Sequence, residues 1–371
     1  MVTIFISSRK QFHLSIIANL IIIGKGLIPK HATQHMRGVF YRIVSTSHRG
    51  LRSWNSPPEP LTQSGKPTRK RIGLAMKSEN SISNFCGKGS FLFRHYNESI
   101  SSTQDELKHT IQEVGTSIPE LFETSTVPML VVSAAEQSQG RGTNKRTWNS
   151  VKGNTFVSIG FPMSSLPVSF TLLPLQVGVI VAQVLSTRLK DVINKSSNQS
   201  ENKKSLLSLK WPNDVLIDDK KIAGVLIETT STSSTPLTYY FVVGIGVNIA
   251  NAPQIPAAGE NRGRKSTCLA DYITLEDENV AVDIALDIAR ALSKWLNDGV
   301  IMGSEMKGLM ESNILSTWNS LAQANMGRRL EIRDSTNRIS VIPIGIEPDG
   351  QLRVKYPDGR ITLLSMTDYL F

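Results

Sequence analysis

Residues 206–249 restrict the fold more than any other stretch. Four strand-like runs follow one another there, "LLSLKW", "VLID", "KIAGVLIE" and "YYFVVGIGVNI", rich in β-branched and aromatic residues. "IDDKKIAG" puts two aspartates between the second and third runs, which predicts a polar hairpin turn. A chain with this segment must be organised around a sheet. "VPMLVVSA" (127–134) and "GNTFVSIGF" (153–161) read as two further buried strands. Apolar residues at helical spacing fall in 173–193, 279–298 and 307–323, while 194–205 reads as a polar loop. "SSTQDELKHTIQEV" (101–114) opens with Thr103 three residues before Glu106, the spacing of a capping box. The tail differs: "RRLEIRD", "RISVIPIGIEPDG", "QLRVKYPDG" and "RITLLS" are short strands punctuated by Asp-Gly turns. They predict a small β-barrel-like domain behind an α+β body.

Charge separates the first segment from the rest. Thirteen of the 41 Lys and Arg residues and one of the 31 acids, Glu59, lie in residues 1–78. The remainder has 28 bases against 30 acids. The basic pI therefore belongs to the N-terminal segment, and a nucleic-acid partner is not indicated. A basic, serine-containing segment with no acid before Glu59 has the composition of an organelle transit peptide, mitochondrial or plastid. The alternative is a disordered basic tail on a cytoplasmic protein. "LSIIANLIII" (14–23) is too short to span a bilayer, so no membrane partner is expected. The folded body is expected from about residue 90, after a linker at 55–71. Two cysteines, Cys86 and Cys268, provide neither a disulfide framework nor a zinc site. Five of six histidines lie at or before His95, which leaves a histidine triad improbable.

Three polar clusters stand where strands end: Ser102-Thr103 at the first helix, "QSQGRGTNKRTW" (137–148), and Lys210 followed by "WPND". A lysine closing a buried strand must reach water or meet an anion. Glycines 140 and 142 allow close backbone approach, and Arg141 and Arg146 offer forked donors for phosphate or carboxylate. The loop has neither P-loop nor dinucleotide-fold spacing, and taken alone it also fits a mobile surface loop. Gly224, Gly244 and Gly246 interrupt strands, as glycines do at bulges or close approaches.

"GRG…W", "KWPNDV", "KIAGVLIE" and "VGIGVN", in this order, resemble the biotin–protein ligase (holocarboxylase synthetase) family, from about residue 98 to the C-terminus. The resemblance implies an α+β fold. A class II synthetase-like mixed-sheet catalytic domain (90–325) would precede a small SH3-like β-barrel (326–371), after a targeting and linker segment (1–89). It implies that biotin and ATP, with Mg2+, give biotinyl-5′-AMP and pyrophosphate. The biotin then passes to a lysine of the biotin carboxyl carrier domain of acetyl-CoA carboxylase and related carboxylases. Both steps pass through crowded negative charge, so positioning and electrostatics should dominate.

By the same resemblance, Lys210 meets the biotin carboxylate and the α-phosphate, with Arg141 as the second catalytic candidate. Ser102, Thr103 and Gln104 match the triplet at the ureido ring, and Gln137 a ligand-contacting glutamine. Arg141, Gly142 and Thr143 match the adenylate loop, Gly224 a strand glycine beside the ligand, and Asn248 an asparagine near the nucleotide. Trp148 matches a wall of the biotin pocket, or is a core tryptophan. Asn213 and Asp214 form a turn, or Asp214 helps hold magnesium. Family members usually carry arginine where this chain has Thr143, so Lys145 or Arg146 substitutes or the adenylate is held less tightly. Lipoate–protein ligase is the rival within the superfamily, and a non-catalytic biotin-binding protein the rival of another class. No helix-turn-helix pattern precedes the body, which disfavours a DNA-binding role, and a homodimer stays open.

Overall fold

The structure, a computed structural model, describes residues 86–87, 90–114, 118, 122, 126–143, 146–199, 206–233, 235–253, 265–334 and 337–366. The targeting segment and Lys145 lie outside the described residues. Twelve strands are described: β1 (Cys86–Gly87), β2 (Leu92–Ile100), β3 (Leu130–Gln137), β4 (Thr155–Pro162), β5 (Leu207–Lys210), β6 (Asp214–Ile217), β7 (Lys220–Ser231), β8 (Tyr239–Val247), β9 (Leu330–Asp334), β10 (Asn337–Ile346), β11 (Leu352–Lys355) and β12 (Ile361–Leu364). The described helices of more than one turn are α1 (Thr103–Val114), α2 (Leu173–Arg188), α3 (Lys190–Gln199), α4 (Val280–Met302) and α5 (Lys307–Ala322).

Eight strands form one mixed sheet in the order β1-β2-β3-β4-β8-β7-β6-β5. Strands β2 and β3 are parallel, and every other neighbouring pair is antiparallel. The expected Asp-Asp hairpin is there. Asp218 and Asp219 take positive φ, 52° and 64°, between the partnered Ile217 and Lys220. That is the backbone a two-residue turn needs, and aspartate tolerates it better than most side chains.

Alternation gives the sheet two different faces. Val131, Val157, Ile159, Val225, Val243 and Ile245 point into the main core, which also takes in α2, α4 and α5. Helix α2 is apolar on nearly every side because it is buried against the sheet, α4 and α5. Leu130, Val132, Tyr240 and Val242 point the other way, onto Leu107 and Ile111 of α1. Gly160 lets α1 come close, since a Cβ there would stand 2.9 Å from Ile111 Cδ1.

Strand β2 was not expected. Arg94, His95, Asn97 and Glu98 disrupt its alternation, yet partners accommodate the charge: Arg94 stacks over Tyr96 at 4.2 Å and pairs with Glu106 at 3.4 Å. The short β1 starts the described body slightly before residue 90. The expected loop at 194–205 is helical as far as Gln199, the end of α3. The tail forms a four-stranded antiparallel sheet, β12-β11-β10-β9. Its Leu330, Val341, Leu352 and Val354 join the main core, and Trp211 Nε1 donates to Gly350 O at 3.0 Å. The described residues fall in one compact unit.

Candidate active site

One row of paired residues crosses the α1 face of the sheet: Lys210, Asp214, Gly224, Gly246 and Phe156, on β5, β6, β7, β8 and β4 in turn. The next row, two residues along, contains Leu226, Gly244 and Ser158. At a strand spacing of about 4.8 Å, Lys210 stands about 14 Å from Gly246 along the first row.

The glycines make space. A Cβ on Gly246 would fall 2.5 Å from Trp148 Cε2, and one on Gly224 would fall 2.9 Å from Trp148 Cζ3. A Cβ on Gly244 would meet Gln104 Cδ at 2.6 Å. What comes close at these positions is therefore the Trp148 indole and the Gln104 amide. Lys221 lies over the indole, with Nζ 5.2 Å from the ring centroid.

A neutral polar corner lies at the start of α1, where Ser102, Thr103 and Gln104 are all buried. The backbone N–H and hydroxyl of Thr103 reach Gln137 Oε1 at 2.8 and 3.0 Å, and its hydroxyl also meets Ser158 Oγ at 2.8 Å. Gln137 Nε2 donates to Ser150 Oγ at 3.0 Å. The capping box expected from Thr103 and Glu106 is not formed. Thr103 is the first residue of α1 and turns its hydroxyl to this corner, while Glu106 accepts from Arg94 and Tyr96.

The opposite end is cationic. Lys221 Nζ pairs with Asp214 Oδ1 at 2.5 Å, and Lys210 is the cross-strand partner of Asp214. Burial raises the Asp214 pKa, but Lys221, Lys210 and Arg146 outweigh it and hold the carboxyl below its ordinary range. Three cations around one carboxylate leave a net positive seat. Asn213 braces the turn before β6. Its Nδ2 donates to Val225 O at 2.7 Å, and its carbonyl accepts from Val225 N at 3.1 Å.

Loop 140–148 is a small closed hairpin in the described residues. Arg141 bridges Thr147, Gly142 N donates to Arg146 O at 2.7 Å, and Trp148 N donates to Gly140 O at 2.9 Å. Arg146 folds back on Thr143, with Nε to Thr143 O at 3.0 Å and Nη2 to Thr143 Oγ1 at 2.6 Å. Arg141 turns away from the glycine row, onto Asp105 and Glu228.

Asn154 carries the loop after β8. Its Oδ1 accepts from the backbone N–H groups of Ile249, Ala250 and Asn251. Asn248, at the head of that loop, donates Nδ2 to Thr267 O at 3.0 Å. Its Oδ1, like Trp148 Nε1, is buried without a hydrogen-bond partner. A buried polar atom left so costs about 1–3 kcal/mol unless a ligand or water meets it. One acceptor and one donor are thus available in the site.

Residues 98–248 match the family model "Biotin/lipoate A/B protein ligase family". Over these residues the chain is similar to that family. Among relatives of this ligase family, the biotin–[acetyl-CoA-carboxylase] ligase of Paracoccus denitrificans is 28% identical over 229 residues, 62% of this chain and 85% of the relative. The bifunctional ligase/repressor BirA of Escherichia coli is 27% identical over 220 residues, 59% of each chain, so this chain matches little more than half of that relative. The biotin protein ligase of Aquifex aeolicus, solved with biotin and ATP, superposes with a TM-score of 0.49 at 21% identity, over 75% of this chain and 97% of that one.

The sequence-predicted residues Ser102, Thr103, Gln104, Gln137, Trp148, Lys210, Gly224 and Asn248 gather around one face of the sheet. Sequence reasoning misses Asp105, Ser158, Lys221, Glu228 and Asn154. Lys221 and Glu228 open and close "KIAGVLIE", and their charges in an otherwise apolar strand were the available signal.

Proposed function

We propose that this chain is an ATP-dependent biotin–protein ligase. The observation that carries the reading is a neutral, buried hydrogen-bonding corner and a net-positive seat at two ends of one glycine-floored face. An uncharged ureido ring suits the first end, and a carboxylate meeting an α-phosphate suits the second.

In the first step a biotin carboxylate oxygen bonds to the α-phosphorus and the bond to the bridging oxygen of pyrophosphate breaks. Negative charge crowds at one point, and the ammonium of Lys210, with Lys221 and Arg146 nearby, stabilises it. In the second step the amine of an acceptor lysine attacks the anhydride carbonyl, an amide forms, AMP leaves and the amine's proton passes to solvent. Asn248 Oδ1 offers an acceptor for an N–H of the nucleotide. Asp214 does not suit a magnesium ligand, because its carboxylate already faces Lys221 and Lys210. No step here is routed through a metal. Carrier domains of biotin-dependent carboxylases are the proposed acceptors.

The test is ATP–pyrophosphate exchange by the purified full chain. Biotin should support exchange and lipoate should not. Exchange with lipoate alone, or with neither acid, overturns the reading. An organellar address is proposed from the basic first 78 residues. A tagged full chain should reach a mitochondrion or plastid, and a chain starting at residue 86 should not; identical cytoplasmic staining of both would refute it.

A further inference from the structure

Arg141 stands in the loop that lays Trp148 on the glycine row, yet its guanidinium is committed elsewhere. Its Nη1 and Nη2 grip both oxygens of Asp105, in the first turn of α1, at 2.5 and 2.7 Å. Nη2 also reaches Glu228, on β7, at 3.1 Å, and Lys108 of α1 closes the group by pairing with Glu228 at 3.0 Å. Two carboxylates and two cations balance, so this quartet has no net positive field to offer a phosphate. Two carboxylates within hydrogen-bond reach of Arg141 would repel one. The positive seat lies instead at Asp214, which pairs with Lys221 and has Lys210 as its cross-strand partner. The fork geometry is the strong, direction-fixing form of an ion pair. Hydrogen bonding to Arg141 holds the Asp105 carboxyl below its ordinary range, so the pair is ionised at neutral pH.

The three elements that the quartet joins are those that build the site. The loop carries Trp148, α1 carries Thr103 and Gln104, and β7 carries Gly224. We propose that Arg141, Asp105 and Glu228 form a latch that fastens loop 140–148 to α1 and β7, with Arg141 a positioning residue and not a phosphate ligand. In the ligase reading, on which only this last consequence rests, breaking the latch lets the bound adenylate escape.

Amide hydrogen exchange on the ligand-free full chain tests the latch whatever the ligand is. In Asp105→Asn and Glu228→Gln the amides of Gly142 and Trp148, which close the hairpin, should exchange about tenfold faster, as expected for local opening. The amides of Val225 and Asn248 should keep their wild-type rates. The swap Arg141→Asp with Asp105→Arg should return the loop amides toward wild-type protection. Unchanged loop exchange in both single variants, or equal acceleration throughout the body, overturns the latch. A second arm follows the loss of preformed biotinyl-AMP. Asp105→Asn should speed release about tenfold and raise the KM for ATP more than it lowers kcat. If Arg141→Ala lowers kcat a hundredfold while Asp105→Asn changes neither release nor KM, Arg141 is a direct ligand and the proposal fails.

Discussion

Gly246→Ala is the sharpest test of how the floor of the site is built. The added Cβ would stand 2.5 Å from Trp148 Cε2, 2.6 Å from Nε1 and 2.7 Å from Cζ2. All three atoms belong to one rigid ring, so no terminal rotation relieves the contact. The indole must lift away from β8. It is also bounded by Gly224, where the corresponding clearance is 2.9 Å, and by Lys221 above it. Overpacking of this kind costs about 1–3 kcal/mol. For a body of this size that corresponds to a Tm loss of about 2–12 °C, at roughly 2–4 °C per kcal/mol. Trp148→Ala removes the obstacle at its own cost in lost contacts. In that background Gly246→Ala should cost no more than about 0.5 kcal/mol, the ordinary scatter for a substitution with no clash. The coupling in the double-mutant cycle should therefore nearly equal the cost of the single Gly246→Ala change. Thermal melts of the four proteins measure it. Additive costs, or a Gly246→Ala protein as stable as wild type, would show that the indole does not lie on the glycine row.

Lys210→Ala should lower biotin-dependent pyrophosphate exchange by about two to three powers of ten with the fold retained by circular dichroism; near-normal exchange would remove Lys210 from the mechanism. Arg146→Gly should speed the loss of bound radiolabelled adenylate, because Arg146 folds over Thr143 in the loop beside the site, and equal release rates would remove Arg146 from adenylate retention. Asp105 and Asp214 both have folded pKa values below the ordinary carboxylate value of about 3.9, so their stabilisation is complete above that pH and is lost as pH falls through the folded values. Melting temperatures should drop below about pH 4, and Asp214→Asn should flatten that drop; an unchanged acid limb in the variant would count against the cation seat.

The central sheet was legible because its strands carry β-branched and aromatic runs long enough to stand out, with β4 buried along its whole length. β7 and β8 read as near-continuous apolar runs, and the glycines within them marked the face where something else comes close. β2 was hidden because Arg94, His95, Asn97 and Glu98 break its alternation, and the Glu106 that pairs with Arg94 lies on the following helix. The helix that follows the 173–193 pattern escapes notice because "NKSSNQ" has turn composition, although α3 continues through it to Gln199. In the site, single residues with strong chemistry were visible and their partners were not. Lys210 could be singled out at a strand end, whereas Lys221 reaches Asp214 only because hairpin β6–β7 brings them side by side. From the loop alone, Arg141 reads as an anion ligand. That its guanidinium faces Asp105 and Glu228 depends on α1 packing across β7, a relation that no local pattern encodes.

The most direct measurement is transfer itself. The purified full chain, ATP and biotin are incubated with an isolated biotin carboxyl carrier domain, and the domain is analysed by intact-mass and peptide mass spectrometry. One biotin on one lysine of the carrier domain is expected, dependent on ATP and absent with Lys210→Ala. A carrier domain left unmodified by an enzyme that is folded and binds biotin, or one modified equally by the Lys210→Ala protein, would contradict it.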